Sequence, residues 1–118
     1  MILAAICLFS LAILFGLWLV VLGVRYHRGS LVLAAGHAGV ALLGLVMLGK
    51  QIMDGPTHMF YNVAALLFVL ALFGGLVLLL LRISVREYRT PAPMFVVSLH
   101  AVMASIALLL LVLGYIQR

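Results

Sequence analysis

The chain has 118 residues, of which 69% are hydrophobic and only 8% are charged. Soluble domains average roughly 45–50% apolar and about 25% charged residues, so this composition excludes an ordinary water-soluble domain. The formal net charge is +5, but the basic residues flank the apolar segments and form no patch interleaved with aromatic residues, which argues against a nucleic-acid partner.

Four apolar segments follow one another along the chain, at residues 2–24, 31–49, 60–81 and 94–116. Each approaches the roughly 20 residues that a helix needs to cross the hydrocarbon of a bilayer. Together they use nearly the whole chain and leave no room for an extramembrane domain. We therefore predict a single domain over residues 1–118, an all-α integral membrane four-helix bundle.

The connections between these segments differ in charge. The first and third connections carry the arginines Arg25, Arg28, Arg82, Arg86 and Arg89. The second connection has only Lys50, opposed by Asp54. The positive-inside rule then predicts that connections 25–30 and 82–92 are cytoplasmic and that both termini lie outside, in a multi-pass protein of the prokaryotic plasma (inner) membrane.

The two halves of the chain resemble each other. The shared features are Phe15-Gly16, Arg25-Tyr26-His27-Arg28 and His37-Ala38 in the first half, and Phe73-Gly74, Arg86-Glu87-Tyr88-Arg89 and His100-Ala101 in the second. This pattern indicates two tandem helical hairpins related by a parallel pseudo-repeat. Chance resemblance between leucine-rich helices is the alternative interpretation.

Small residues recur at spacings of three, four and seven along one face of each predicted helix. They are Ala5, Ala12, Gly16 and Gly23, then Ala34, Ala41 and Gly44, then Ala64, Ala71 and Gly75, and finally Ala104 and Ala107. Lipid offers no hydrophobic drive for helix association, so such faces mark close contacts between membrane helices. They predict which sides of the helices meet in the bundle.

His37 and His100 interrupt the second and fourth apolar segments, on the same faces as these small residues. An ionisable side chain within a membrane span is by default a candidate site. Each histidine lies about seven residues, or roughly 10 Å, from the same membrane boundary. The second and fourth helices also run in the same direction, so the two imidazoles can face each other.

One interpretation of the histidine pair is axial ligation of a b-type haem, with each ring donating its second N–H to the backbone carbonyl one turn earlier. Arginines suited to the haem propionates lie at the nearer surface: Arg25, Arg28, Arg82, Arg86 and Arg89. Small residues one and two turns beyond each histidine would leave space for the macrocycle. Four helices with a pair of buried histidines loosely resemble small membrane b-type cytochromes. The resemblance rests on His37 and His100 and their surroundings. The other interpretation is a hydrogen bond between helices and nothing more.

The second connection, residues 50–62, is a weaker candidate site. Its polar groups include His58 and Tyr61, which could donate hydrogen bonds to a quinone or lipid head group. A solvated hairpin loop with Tyr61 as an interfacial anchor is the favoured interpretation.

The function predicted from these features is that of a small accessory or assembly subunit, packed within the bilayer against a larger membrane partner or against itself. The alternative is an electron-transfer protein that binds haem b through His37 and His100 and is linked to quinone. No carboxylate lies within an apolar segment, as proton-coupled export would require. We expect no intrinsic catalysis beyond electron transfer.

Overall fold

The structure, a computed structural model, describes residues 1–84 and 93–118. Within these residues it contains four helices: α1 (Ile2–Arg25), α2 (Leu31–Asp54), α3 (Met59–Ser84) and α4 (Met94–Gln117). All four are long and apolar enough to cross a membrane, because 24 residues span about 36 Å against about 30 Å of hydrocarbon. The predicted all-α membrane four-helix bundle is confirmed, and the chain is a multi-pass membrane protein.

Helix α2 is longer than the apolar pattern predicts. It begins after Ser30, whose side chain accepts a hydrogen bond from the Leu33 N–H at 3.1 Å. It continues through the polar residues as far as Asp54, although hydrophobicity falls after residue 49. The helix ends at Gly55, which is extended because the following Pro56 disfavours helical geometry before it. Loss of hydrophobicity marks the membrane boundary here, and the proline sets the helix end.

The two ends of the bundle differ in their charged residues. Arg25, Arg28 and Arg82 lie at the end where α1 and α3 finish, which we call the arginine end. The chain termini and the turn between α2 and α3 lie at the opposite end, which we call the terminal end. Arg86 and Arg89, both candidates for propionate contacts, fall outside the described residues.

The helices pack as two hairpins. Helix α1 contacts α2, and α3 contacts α4, more extensively than α1 contacts α4 or α2 contacts α3. The remaining pairs, α1 with α3 and α2 with α4, are therefore diagonal partners across the bundle. An internal repeat that relates the two hairpins stays a prediction.

The buried core occupies the terminal half of the bundle. Its members are Ile2, Ala5, Phe9, Ala12, Gly44, Leu48, Tyr61, Ala64, Phe68, Ala71, Ala107, Leu111 and Gly114. Six of the predicted small residues are among them, whereas Gly23 is exposed and meets no neighbouring atom. Between the histidines and the arginine end, no side chain that the structure describes is buried. The bundle is thus closed at one end and loosely packed at the other.

Candidate functional site

The structure brings His37 and His100 together inside the bundle. They lie on the diagonal helices α2 and α4, and their ring centroids are 6.0 Å apart with the planes at 71°. Both side chains are half-buried. The two imidazoles therefore meet near the bundle axis, at the boundary between the buried core and the loosely packed half.

Each ring is held by a hydrogen bond to the adjacent helix of its own hairpin. His37 Nδ1 lies 2.7 Å from the carbonyl oxygen of Ala12 on α1, and His100 Nδ1 lies 2.7 Å from that of Ala71 on α3. A carbonyl oxygen only accepts, so both Nδ1 atoms carry the proton and donate it. The prediction that each ring donates to the backbone carbonyl one turn earlier in its own helix is therefore wrong. A histidine side chain reaches across to the neighbouring backbone because small residues let the helices approach.

Two glycines make room for the rings. A Cβ atom on Gly16 would lie 3.0 Å from Cε1 of His37, and one on Gly75 would lie 3.1 Å from Cε1 of His100. Each glycine follows the accepting alanine by four residues, so the acceptor and the space lie on one face of the helix. Ala12 with Gly16, and Ala71 with Gly75, thus form the surface against which one imidazole packs, and we call each such pair the seat of its histidine.

An aromatic stack closes the site toward the terminal end. The Phe9 and Phe68 rings lie parallel within 6°, with centroids 3.6 Å apart, across the diagonal between α1 and α3. Gly44 gives room to Phe9, since a Cβ there would lie 3.1 Å from the ring. The small residues one and two turns beyond each histidine were expected to leave space for a macrocycle. At Gly44 that space is filled by phenylalanine, and Ala107 is fully buried.

The described arginines differ in their relation to the site. Arg25, Arg28 and Arg82 are all exposed, and the Arg25 guanidinium lies 5.9 Å from the ring centre of its neighbour Tyr26. Arg82 instead reaches from α3 to Gly29, in the turn between α1 and α2. Among the arginines that the structure describes, Arg82 is therefore the one whose side chain bridges the two hairpins.

The histidine pair offers two protein ligands and no more. Within residues 1–84 and 93–118, no group of three or more histidine, cysteine, aspartate or glutamate side chains is placed to hold a metal ion. Two imidazoles are fewer than the three or four protein ligands of a typical zinc site.

Comparisons with protein-family models, with curated proteins and with solved structures find no match.

The turn between α2 and α3 forms no comparable site. His58 Nδ1 accepts a hydrogen bond from the Phe60 N–H at 3.1 Å and so caps α3. Tyr61, expected as an interfacial anchor, is instead 3% exposed and packs against Gly114 of α4. A Cβ atom on Gly114 would lie 2.8 Å from Cε1 of Tyr61. The tyrosine ring can therefore point into the bundle because residue 114 has no side chain.

Sequence reasoning identified both histidines but not the groups that hold them. The accepting carbonyls of Ala12 and Ala71 carry no sequence signal, because every residue has one. The spacing of alanine and glycine by four residues, Ala12 to Gly16 and Ala71 to Gly75, was a usable signal. Such pairs of small residues mark positions where another helix, or here a ring from it, comes close.

Proposed function

We propose that this protein is a small membrane electron carrier that binds one haem b between His37 and His100. The observation that carries the proposal is the 6.0 Å separation of the two ring centroids. A ligating imidazole nitrogen lies about 2 Å from the metal, and the ring centre lies roughly 1 Å behind that nitrogen. Two rings on opposite sides of one iron therefore have centres about 6 Å apart.

The hydrogen bonds to Ala12 and Ala71 prepare both imidazoles for this role. With the proton on Nδ1, the lone pair of the neutral ring is on Nε2, the nitrogen free to bind a metal. Donation to a backbone carbonyl also fixes the ring orientation. The chain thus supplies the tautomer and the support that a histidine ligand normally has.

The surroundings of the rings also suit a flat cofactor. Gly16 and Gly75 keep side chains away from the ring edges. The Phe9–Phe68 stack supplies an aromatic wall on the terminal side, while no described side chain on the arginine side is buried. A macrocycle between the two hairpins would therefore contact the phenylalanines with one edge and point its opposite edge toward the arginine end.

Two histidine ligands favour electron transfer over other haem chemistry. If His37 and His100 both held the iron, no position would be open for oxygen or a substrate. The apolar helices around the site further limit access of water. The chain's contribution would be to hold the redox centre rigidly within the bilayer, with quinone or a membrane redox protein as the predicted electron partner.

The visible spectrum of the protein purified in mild detergent tests this proposal. We expect a reduced-minus-oxidised spectrum with the α band of a six-coordinate b haem, and we expect both His37→Ala and His100→Ala to abolish it. His27→Asn and His58→Asn serve as controls, since asparagine tolerates the positive φ at residue 27 and can cap a helix at residue 58. A colourless wild-type preparation with intact helical content after growth with added haem would contradict the proposal.

Packing as an accessory or assembly subunit is a second proposal. All four helices expose long apolar side chains, among them Leu14, Val46, Leu66 and Phe95, which can pack against lipid, a larger partner or a second copy. A colourless protein that migrates in mild detergent as a defined complex, and whose complex is lost when these residues are changed to alanine, would favour this role. A monodisperse monomer under the same conditions would contradict it.

A further inference from the structure

Arg82 crosses from its own hairpin to the other one. Its guanidinium lies against Gly29, so close that a Cβ on the glycine would overlap it. The backbone at Gly29 is outside the left-handed region, so its conformation does not itself require glycine. The missing side chain at residue 29 is what admits the arginine.

The register of α3 places Arg82 on the same face as the histidine seat. It follows Gly75 by seven residues, which is two helical turns or about 10 Å toward the arginine end. Arg25 follows Gly16 by nine residues, and nine residues rotate a helix by about half a turn beyond two full turns. Arg82 therefore shares the inner side of its helix with the site, whereas Arg25 lies on the opposite side of α1.

The charges near Arg82 favour an anion. Arg25 and Arg28 lie at the same end of the bundle. Asp54, the acidic residue within residues 1–84 and 93–118, lies at the terminal end. Positive groups clustered at one end of the bundle raise the local concentration of anions there.

We propose that Arg82 binds a propionate of the haem and thereby orients the cofactor with both propionates toward the arginine end. This inference rests on the proposed function. The Phe9–Phe68 stack blocks the terminal side, so the carboxylate edge of the macrocycle must face the other way. Arginine matches a carboxylate with two parallel N–H donors and stays charged at any physiological pH.

Binding titrations of the full chain, purified in detergent and freed of haem, test this inference. The two probes are haemin and its dimethyl ester, which lacks the propionate charges. For Arg82→Gln we expect the affinity for haemin to fall about tenfold, the size of one charged hydrogen bond that is partly screened by solvent. The affinity for the dimethyl ester should be equal in the variant and the wild type.

Two further variants distinguish a propionate contact from packing on Gly29 and from a general effect of charge. Lys50→Gln removes the same charge from an exposed position at the terminal end and should leave both affinities unchanged. Arg82→Lys keeps the positive charge but lacks the two parallel N–H donors of the guanidinium, and it should bind haemin more tightly than Arg82→Gln and less tightly than the wild type. Equal losses for haemin and its ester would show that Arg82 acts only through packing on Gly29, and a loss in Lys50→Gln equal to that in Arg82→Gln would show a general charge effect. Either result overturns the inference.

The failure of this inference differs from the failure of the proposed function. If the wild type binds haemin with a histidine-dependent spectrum and Arg82→Gln binds it equally well, only the role of Arg82 is wrong. If the wild type binds neither haemin nor the ester, both proposals are wrong.

Discussion

The His37 ring on α2 packs directly against Gly16 on α1, where a Cβ atom on the glycine would lie 3.0 Å from Cε1 of the ring. The corresponding distance between Gly75 and His100 is 3.1 Å. A methyl group at either position would lie closer to the ring than ordinary van der Waals separation, so the absence of a side chain lets each histidine approach the accepting carbonyl. The site is thus built from two seats on different hairpins.

Replacing either glycine should displace a ring. For Gly16→Ala and Gly75→Ala we expect weaker haem binding by about tenfold, because the added methyl group lengthens the hydrogen bond from Nδ1. Spectrophotometric titration measures the effect. The control is Gly23→Ala, where a Cβ meets nothing within 4 Å and alanine should stabilise the helix by up to about 1 kcal/mol. If Gly16→Ala behaves like Gly23→Ala in titration and in unfolding, the seat is not needed.

The Phe9–Phe68 stack should be a main contributor to the stability of the bundle. We expect Phe9→Ala to lower the free energy of unfolding by about 3 kcal/mol, through lost packing against Phe68 and Gly44. Denaturation with sodium dodecyl sulfate in mixed micelles measures it. Leu14→Ala on the same helix is the control, since Leu14 is 61% exposed and lipid replaces its contacts. Equal effects of the two changes would contradict this assignment.

Gly114 should tolerate no side chain. A Cβ there would lie 2.8 Å from Cε1 of Tyr61 and 3.1 Å from Cβ of Phe60, so Gly114→Ala should destabilise the protein by about 1–3 kcal/mol through overpacking. Gly49→Ala, at a position with open space, should not. Combining Gly114→Ala with Tyr61→Ala should cost less than the sum of the two single changes, because the tyrosine ring is the obstacle. Additive effects would rule out that contact.

The Ser30 cap should stabilise the start of α2. Removing its hydroxyl in Ser30→Ala leaves the Leu33 N–H without its acceptor and should cost about 1 kcal/mol. Ser30→Asp should retain most of the stability, since a carboxylate also accepts at a helix N-terminus. The exposed Ser98 of α4 provides a control in Ser98→Ala. A loss as large in Ser98→Ala as in Ser30→Ala would argue against a specific cap.

The arginine end is predicted to face the cytoplasm, with both termini outside. A C-terminal alkaline phosphatase fusion should then be active in a bacterial host, and a C-terminal green fluorescent protein fusion should be dark. Fusions placed after residue 28 should give the opposite pattern. Fluorescence from the C-terminal fusion would reverse the predicted orientation.

Much of the architecture was predictable from local composition. Four segments of membrane length gave the number and type of elements, and the small residues on each gave the packed faces at Ala5, Ala12, Ala64 and Ala71. The inward position of Tyr61 and the extension of α2 to Asp54 were not predicted. Polarity indicates where a segment leaves the hydrocarbon, but α2 ends only where Pro56 prevents the helical backbone from continuing. The Tyr61 ring points inward because Gly114, which is distant in sequence, leaves space for it.

The sequence by itself determined that lipid is the solvent of this chain, that it forms four helices, and that two histidines interrupt them at equal depth. Composition and length over about 20 residues suffice for those conclusions. Only the tertiary structure decided that His37 donates to Ala12, that His100 donates to Ala71, and that the two rings lie 6.0 Å apart. Such contacts depend on the rotation of each helix about its axis, and helices that are apolar on every face carry little record of that rotation in their hydrophobic pattern.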